Sequence, residues 1–445
     1  MAGMKPSQSR RIFLGQGATA LAFPYLAKTS WAKKPPSETV RHASFGGGGM
    51  AGADLSSISS HPKVTVAAVV EIDPGRRRQI QQRFRNAKVY ADWREMLEKE
   101  GKNLHTANVS VPDHMHAPMA MSSMRMGLHV YCQKPLTHDV FESRALAEYA
   151  EKNKLHSQMG IQIHSSAQYR TAVKLVHDGV IGKVKEGHSF SNKRWGDSNP
   201  KPNRKDPVPE GLDWDAWIGP APFTDYIKGY YHPSQWRKRL DYGTGTFGDM
   251  GCHIYDPVFK ALGLTYPISL RSEGPKPNDH NWGFDAKIRY LFPKTPYSDG
   301  DTLPVTWYDG SARPGPDVTK LLEGDRLPGQ GSVVIGTKGS MLIPHVGHPR
   351  LYPKKDFADF KMPKVEGQNH WHTFIDAARG EGPAPSANFA YSGPLSETVL
   401  LGGVATRFPL EELKWNAEQL AFAGNDAATA LIRKKYRKGW EVEGL

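Results

Sequence analysis

Residues 40–55 read Val-Arg-His-Ala-Ser-Phe-Gly-Gly-Gly-Gly-Met-Ala-Gly-Ala-Asp-Leu, and this stretch decides the fold. A short strand-like segment runs into glycines and then into a helical pattern. Gly46, Gly48 and Ala51 fit the fingerprint Gly-x-Gly-x-x-Ala, in which the first glycine makes a tight turn and the second lets the backbone approach a pyrophosphate. A register shifted by one residue, beginning at Gly47, fits as well. The predicted cofactor contacts of this turn are Gly46, Gly48, Gly49, Met50 and Ala51.

The residues after the turn alternate between strand-like and helix-like segments. Residues 64–70 form an apolar strand that ends at Glu71, where a carboxylate can accept hydrogen bonds from both ribose hydroxyls of adenosine. Glu71 would repel a 2′-phosphate and so favours NAD, whereas the arginines at residues 76–78 could attract that phosphate, which leaves NADP possible. The alternation predicts an α/β Rossmann-type, doubly wound parallel sheet over residues 36–160.

A polar motif, Gln133-Lys134-Pro135-Leu136, follows the strand-like residues 129–132. With the glycine turn, this motif resembles the glucose–fructose oxidoreductase/inositol dehydrogenase (Gfo/Idh/MocA) family, whose members carry Glu-Lys-Pro at this point. The resemblance implies that Lys134 lies beside the nicotinamide and the substrate hydroxyl. Gln133 departs from the family pattern and removes a carboxylate that could tune the charge of the lysine. The resemblance also implies cofactor contacts at Asp113, His116, Gln133 and Gln162.

Beyond residue 160 the pattern changes to spaced strand-like segments separated by long loops rich in proline, glycine and aromatic residues. Spaced strands without regular helix alternation predict an α+β domain with an open, largely antiparallel sheet. We expect this C-terminal domain, residues 161–445, to bind substrate and to mediate oligomerisation. The resemblance extends over residues 40–423 and implies that the open sheet packs against the nucleotide-binding domain.

A second polar motif lies in this half, at residues 243–256. If Asp249 opens a helix, Asp249 and His253 are four residues apart on one helix face, where the carboxylate can orient or charge the imidazole. The family uses an aspartate and a histidine at this spacing, with the motif lysine, to transfer a proton during hydride transfer. The predicted catalytic residues are therefore Lys134, Asp249 and His253. Asp256 is expected to point outward or to contact a neighbouring helix.

Aromatic and planar polar side chains in the loops of this half are candidates for sugar recognition, because aromatic faces suit the apolar faces of sugar rings. The predicted substrate residues, of which we expect two or three to touch substrate, are Trp195, Tyr231, Trp236, Arg237 and His370. Two histidine pairs, His114/His116 and His370/His372, lack a convincingly spaced third ligand, so no metal site is predicted.

The composition argues against several other classes of protein. The chain has 445 residues, which is more than one hydrophobic core usually holds, so two domains are expected. Its two cysteines cannot form a disulfide framework, and no apolar run reaches the roughly 18 residues of a membrane span. The formal net charge of +13 comes without a groove-reading or base-stacking motif, so nucleic acid is not an expected partner.

The N-terminus carries the features of an export signal. Ser-Arg-Arg-Ile-Phe-Leu at residues 9–14 resembles the twin-arginine motif, an uncharged stretch follows at residues 15–26, and Ser30 and Ala32 place small residues before a cleavage site. We therefore expect a twin-arginine signal peptide at residues 1–32. The twin-arginine translocase would carry the folded protein to the periplasm or another extracytoplasmic space.

Taken together, these features predict an exported NAD(P)-dependent oxidoreductase that acts on a sugar, cyclitol or glycoside by hydride transfer, with proton transfer by a lysine, an aspartate and a histidine. Because an extracytoplasmic space supplies little free dinucleotide, the enzyme is expected to retain its cofactor. The alternative is a redox-neutral, NAD-dependent glycosidase or lyase that works through a transient keto-sugar. A sugar-binding protein without activity is the third interpretation. We expect a homo-oligomer.

Overall fold

The computed structural model describes residues 39–445, so the predicted signal peptide lies outside the described residues. The first sheet has six strands: β1 (Val40–Phe45), β2 (Val64–Val70), β3 (Lys88–Tyr90), β4 (Thr106–Val109), β5 (His129–Gln133) and β6 (Ser157–Gly160). All neighbouring strands pair in parallel, in the order β3-β2-β1-β4-β5-β6. This order confirms the predicted doubly wound parallel sheet.

Helices connect the successive strands of this sheet: α1 (Gly49–Ser59), α2 (Pro74–Arg83), α3 (Trp93–Glu100), α4 (His116–Arg125) and α5 (Val140–Lys152). Side-chain caps define several of their first turns, because the first N–H groups of a helix have no partner within the helix. Asp73 accepts a hydrogen bond from the Arg76 amide at the start of α2, and Asp139 forms a capping box with Glu142 at the start of α5.

The second sheet has nine strands: β7 (Val184–Ser191), β8 (Ser269–Ser272), β9 (Lys287–Pro293), β10 (Thr302–Asp309), β11 (Gln330–Gly336), β12 (Ser340–Pro344), β13 (Arg350–Tyr352), β14 (Glu412–Asn416) and β15 (Ala421–Phe422). Their order is β13-β12-β11-β7-β10-β9-β8-β14-β15. Strands β7 and β10 pair in parallel and the other neighbours pair antiparallel. This sheet confirms the predicted α+β architecture.

The helices of this half are α6 (Ala167–His177), α7 (Trp214–Ile218), α8 (Gly245–Ile254), α9 (Asp256–Leu262), α10 (Pro316–Thr319), α11 (His370–Ala378), α12 (Phe389–Ala405) and α13 (Asp426–Thr429). Helix α12 packs against both α5 and α8, so it joins the two halves. Arg144 of α5 pairs with the fully buried Glu397 of α12 at 2.9 Å, and one apolar core runs through both sheets. No helix among residues 39–445 is long and apolar enough to cross a bilayer.

A long segment between β7 and α8 folds into its own apolar cluster, here called the aromatic cap. Its members are Trp214, Trp217, Ile218, Ala221, Tyr226, Ile227, Tyr230, Tyr231, Trp236 and Tyr242. Two of the indoles stack with their ring centres 4.7 Å apart. The cap is joined to the first domain by His114, whose Nε2 donates to the Trp217 carbonyl oxygen at 2.9 Å. Because His114 lies just beyond β4, this contact places the cap at the carboxyl ends of the parallel strands.

Candidate active site

A cavity of about 540 Å³ lies between the carboxyl ends of the parallel strands, helix α8 and the aromatic cap. The structure brings all the predicted cofactor contacts to its wall: Gly46, Gly48, Gly49, Met50, Ala51, Glu71, Asp113, His116, Gln133, Lys134 and Gln162. The predicted catalytic residues Asp249 and His253 line the same cavity, from α8. The site is therefore shared between the two domains, at the edge where parallel α/β sheets bind ligands.

The glycine turn fits a dinucleotide in the register that begins at Gly46. Gly46 has a φ of +91°, and a Cβ there would lie 2.7 Å from the Ser110 carbonyl oxygen and 2.9 Å from the Cβ of Ala51. A glycine is therefore required at this position, and a small residue is required at 51. Gly48 is the N-cap of α1, so the start of this 11-residue helix faces the cavity and can meet a pyrophosphate.

The end of β2 forms the adenosine side of the cavity. The Glu71 carboxylate accepts hydrogen bonds from the Gly47 and Asp73 amides, both at 3.1 Å. Arg76 lines the cavity and packs over Gly48, where its Cδ lies 2.6 Å from the position that a Cβ would occupy. Arg77 instead donates to the Glu71 carbonyl oxygen at 2.9 Å. Of the three arginines considered, Arg76 is thus the one placed to meet a 2′-phosphate.

The opposite end of the cavity holds a cluster of three charges around Asp249. The Lys134 Nζ donates to the Asp249 carbonyl oxygen at 2.7 Å and to its Oδ1 at 2.8 Å, and the Arg237 Nε donates to the same Oδ1 at 3.2 Å. Burial of the Asp249 carboxyl raises its pKa, but the charges of Lys134 and Arg237 outweigh burial and hold the pKa below its usual range. Asp249 therefore stays ionised and fixes both cations.

The predicted contact between Asp249 and His253 is not formed. Helix α8 begins at Gly245 rather than at Asp249, and the carboxylate is taken by Lys134 and Arg237 instead. The Nδ1 of His253 has no hydrogen-bond partner among residues 39–445. Burial and the nearby charge of Lys134 lower the pKa of His253 well below its usual range, so the imidazole is neutral.

Asp113 and His116 sit deep in the wall between the two ends. The Asp113 carboxylate accepts from the Thr244 hydroxyl at 2.6 Å, and burial raises its pKa to about 7. His116 has its Nδ1 2.7 Å from the Pro135 carbonyl oxygen and its Nε2 2.9 Å from the Val111 carbonyl oxygen, and burial lowers its pKa to about 4. A neutral imidazole has one N–H, so His116 donates to one of these two carbonyl oxygens, and its contact with Pro135 lies next to Lys134 in the chain.

The predicted substrate residues separate into three groups. Trp236 and Arg237 line the cavity. Trp195 lies beside it, with the Arg237 guanidinium 5.5 Å from its ring centre. Tyr231 does not line the cavity, because its ring is buried within the aromatic cap. His370 does not reach it either: it is buried on α11, with its Nδ1 2.8 Å from the Ser165 hydroxyl, and it borders a different cavity.

Two further expectations can be compared with the structure. Asp256 does not point outward, since it is fully buried and contacts neighbouring elements through His164 at 2.9 Å and Tyr169 at 2.9 Å. The expected contact with a neighbouring helix is formed, because Tyr169 lies on α6. Among the residues that the structure describes, no three histidine, cysteine, aspartate or glutamate side chains come close enough to hold a metal ion.

Several cavity residues were not found from the sequence: Ser110, Met119, Trp217, Pro233 and Ser234. Ser110 directly follows β4, so the rule that ligands bind at the carboxyl ends of parallel strands could have identified it. Trp217 belongs to the cap, and Pro233 and Ser234 belong to its neighbouring loop, where no periodic pattern marks a position. Their place in the site depends on how the cap folds back over the first domain.

These features define the N-terminal half as a dinucleotide-binding domain of the oxidoreductase class. Residues 40–161 match the family model described as oxidoreductase family, NAD-binding Rossmann fold, and residues 167–303 match the model of the same family's C-terminal alpha/beta domain. The chain therefore belongs to the Gfo/Idh/MocA family of oxidoreductases. Its N-terminal domain is thus an NAD-binding Rossmann domain.

Named relatives are distant. The chain is 22% identical over 197 residues to a levoglucosan dehydrogenase of Pseudarthrobacter phenanthrenivorans, covering 44% of this chain and 42% of that one. It is 24% identical over 150 residues to an inositol 2-dehydrogenase of Corynebacterium glutamicum, covering 33% and 44%. The chain thus spans about two fifths of these relatives. The solved WlbA dehydrogenase of Bordetella pertussis, in complex with NADH and UDP-GlcNAcA, shares the fold at 13% identity and a TM-score of 0.60, covering 85% and 99%.

Proposed function

We propose that the protein is an NAD(P)-dependent oxidoreductase that oxidises or reduces a carbon of a sugar, cyclitol or glycoside. The observation that carries this proposal is the cluster at the far end of the dinucleotide cavity. Lys134, Arg237 and Asp249 form a fixed network there, and the neutral His253 lines the same wall. A hydroxyl placed among these groups would meet a proton acceptor and two cations.

The division of labour follows from the charges. A bound nicotinamide supplies the hydride acceptor or donor. His253, whose imidazole lines the same cavity, takes the hydroxyl proton in the oxidation direction, and the cations at Lys134 and Arg237 stabilise the negative charge that develops on the oxygen. Asp249 holds both cations in place and prevents their mutual repulsion. This assigns Asp249 a positioning role toward the cations rather than toward the imidazole.

The wall of the cavity suits a ring that carries several hydroxyl groups. Trp217 and Trp236 offer aromatic surface, and the Arg237 guanidinium lies over the Trp236 ring at 4.3 Å. Aromatic faces pack against the apolar faces of such rings, while a guanidinium donates to their hydroxyl rims. Relatives named for levoglucosan and inositol support this substrate class.

Export and cofactor retention are part of the same proposal. Retention would be helped by the aromatic cap, since Trp217 and Trp236 line the cavity from the C-terminal half. The twin-arginine route is proposed on the sequence pattern of residues 9–32. The homo-oligomer is proposed on family resemblance. Cell fractionation of the full chain, with an Arg10→Lys/Arg11→Lys variant as the matched control, tests export: the wild type should appear outside the cytoplasm and the variant inside.

A substrate panel tests the activity itself. The purified protein with NAD should oxidise at least one sugar, cyclitol or glycoside and form NADH in a one-to-one ratio with an oxidised product. His253→Ala should lower turnover by roughly 10²-fold or more, because it removes the proton acceptor. Cleavage of a glycoside with no net change in cofactor state, and with solvent deuterium entering the neighbouring carbon, would instead support the redox-neutral alternative. Full turnover by His253→Ala would remove this residue from the mechanism.

A further inference from the structure

A buried carboxylate that no part of the proposed mechanism uses lies behind the cavity wall. Asp54 is on α1 and is fully buried. Its Oδ2 accepts hydrogen bonds from the Gln133 Nε2 and the Ser110 hydroxyl, both at 2.8 Å. Its Oδ1 accepts from the Trp371 Nε1 at 2.9 Å, and the Tyr131 hydroxyl lies 3.4 Å away. An indole N–H can only donate, so this set of partners requires Asp54 to act as an acceptor.

The hydrogen-bond partners of Asp54 lie at one end of the cavity. Ser110 follows β4 and Gln133 ends β5, and these strands lie on one side of the glycine turn, whereas Glu71 follows β2 on the other side. Gln162, which also lines the cavity, donates from its Nε2 to the Tyr131 hydroxyl at 3.2 Å. Asp54 is therefore connected, directly or through one side chain, to three residues of the cavity wall at the end away from the adenosine side.

The hydrogen bonds of Gln133 fix which way its amide faces. Because the Lys134 backbone N–H can only donate, the Gln133 Oε1 faces that N–H and the NH₂ group of Gln133 faces Asp54. The Oε1 lies 3.3 Å from the Lys134 backbone N. Space for this arrangement comes from Gly160, where a Cβ would lie 2.6 Å from the Gln133 Nε2.

We propose that Asp54 is a positioning residue for the nicotinamide end of the cofactor site. It supplies, from α1, the carboxylate that residue 133 lacks, and it holds the Gln133 amide with its oxygen toward the Lys134 segment and its nitrogen toward α1. The proposal rests on the binding of NAD in this cavity. It assigns Asp54 no contact with the cofactor, since its action passes through Gln133, Ser110 and Tyr131.

A purely structural role for Asp54 is the competing explanation, because Trp371 belongs to α11 of the C-terminal half. The two roles differ in which ligand they affect. ADP-ribose has the adenosine and pyrophosphate parts of NAD but no nicotinamide. A loss of general structure would weaken NADH and ADP-ribose together, whereas a misplaced Gln133 would weaken NADH alone.

The experiment measures the dissociation constants of NADH and ADP-ribose for the wild type, Asp54→Asn and Trp371→Phe, after removal of retained dinucleotide. An asparagine amide can donate as well as accept, so in Asp54→Asn the Gln133 amide is free to turn over. We expect Asp54→Asn to weaken NADH by roughly 10-fold and ADP-ribose by about 2-fold or less, the scale of one misplaced hydrogen bond to a charged group. Trp371→Phe keeps Asp54 and Gln133, so its NADH to ADP-ribose ratio should match that of the wild type.

Exchanging the acid and the amide between positions 54 and 133 tests whether NADH affinity can be restored. Gln133→Glu alone places two carboxylates at a 2.8 Å contact and should weaken NADH at least as much as Asp54→Asn does. The double variant Asp54→Asn/Gln133→Glu restores one donor and one acceptor and should recover most of the affinity. Equal weakening of both ligands by Asp54→Asn, or no recovery in the double variant, would overturn the proposal. A wild type that binds ADP-ribose but not NADH would contradict the proposed function itself.

Discussion

Asp249 is expected to contribute more to stability than Lys134, although the two form one ion pair. Their side chains are 14% and 13% exposed, so both charges are largely removed from water. Lys134→Met leaves the Asp249 carboxylate with the Arg237 guanidinium at 3.2 Å. Asp249→Asn instead removes the carboxylate that both cations share. The loss of the carboxylate should therefore be the more costly of the two substitutions.

The magnitudes follow from the distances. At an effective dielectric constant of about 20, a charge pair at 2.8 Å or 3.2 Å is worth roughly 5 to 6 kcal/mol before the cost of burying the charges is subtracted. Removing one partner of such a buried pair costs about 3 to 5 kcal/mol, because the other charge stays buried. We expect a loss in this range for Asp249→Asn. Lys134→Met should cost about 1.5 to 3 kcal/mol, the scale of a hydrogen bond to a charged group.

Urea unfolding followed by circular dichroism, at one fixed NADH concentration, measures the loss of unfolding free energy in each single variant. The double variant then gives the coupling energy between Lys134 and Asp249. Lys99→Met is the matched control, because Lys99 pairs with Glu95 on an exposed helix surface, where an ion pair contributes little to stability. Turnover should fall roughly 10²-fold or more in both active-site variants, and the double variant should be little worse than the worse single one. A Lys134→Met variant that is as destabilised as Asp249→Asn would refute the assignment of Asp249 as the shared counter-charge.

Three further outcomes are expected. The purified protein should retain NAD(H) or NADP(H) through gel filtration. If mass spectrometry detects no dinucleotide after the protein is denatured, cofactor retention is contradicted. Glu71→Ser should reduce the preference for NAD over NADP by about 1 to 2 kcal/mol, measured from the ratio of kcat/KM for the two cofactors. If the wild type prefers NADP, Arg76 rather than Glu71 determines the cofactor preference. The pKa of Asp113 is raised by burial to about 7, so its contribution to stability is fully present below about pH 4 and is lost as the pH rises through about 7. The unfolding free energy of Asp113→Asn should therefore fall less than that of the wild type between about pH 4 and 8, and equal slopes would contradict the shift.

The N-terminal domain could be predicted from the sequence because its signals are local. The glycine turn, the apolar strand and the acid at its end all lie within residues 40–71, and each depends on backbone geometry that neighbouring residues determine. Parallel strands then bring their carboxyl ends together whatever the rest of the chain does. Gly46 and Glu71 could be assigned to one cavity for this reason, whereas Gln162 was assigned to it through the family resemblance.

The aromatic cap could not be predicted in the same way, because its fold is fixed by contacts among rings rather than by a periodic pattern. Tyr231 and Trp236 are five residues apart in one aromatic stretch, yet the first is enclosed in the cap and the second lines the cavity. His370 shows the same limit. Its sequence neighbours are polar and aromatic, but the start of α11 buries its ring against Met159 and Ser165.

The charge network around Asp249 shows why the spacing of residues in the sequence did not identify the electrostatic partner of Asp249. The i, i+4 rule correctly places Asp249 and His253 on one helix face, but it cannot tell what other elements bring to that face. Here β5 brings Lys134 and the cap brings Arg237, and a carboxylate gains more from two cations than from a neutral imidazole. The same compensation over distance applies to Gln133, whose missing carboxylate is supplied 79 residues away in sequence by Asp54. In both cases the residue types were visible in the sequence, and the electrostatic partner was decided by the packing of separate elements.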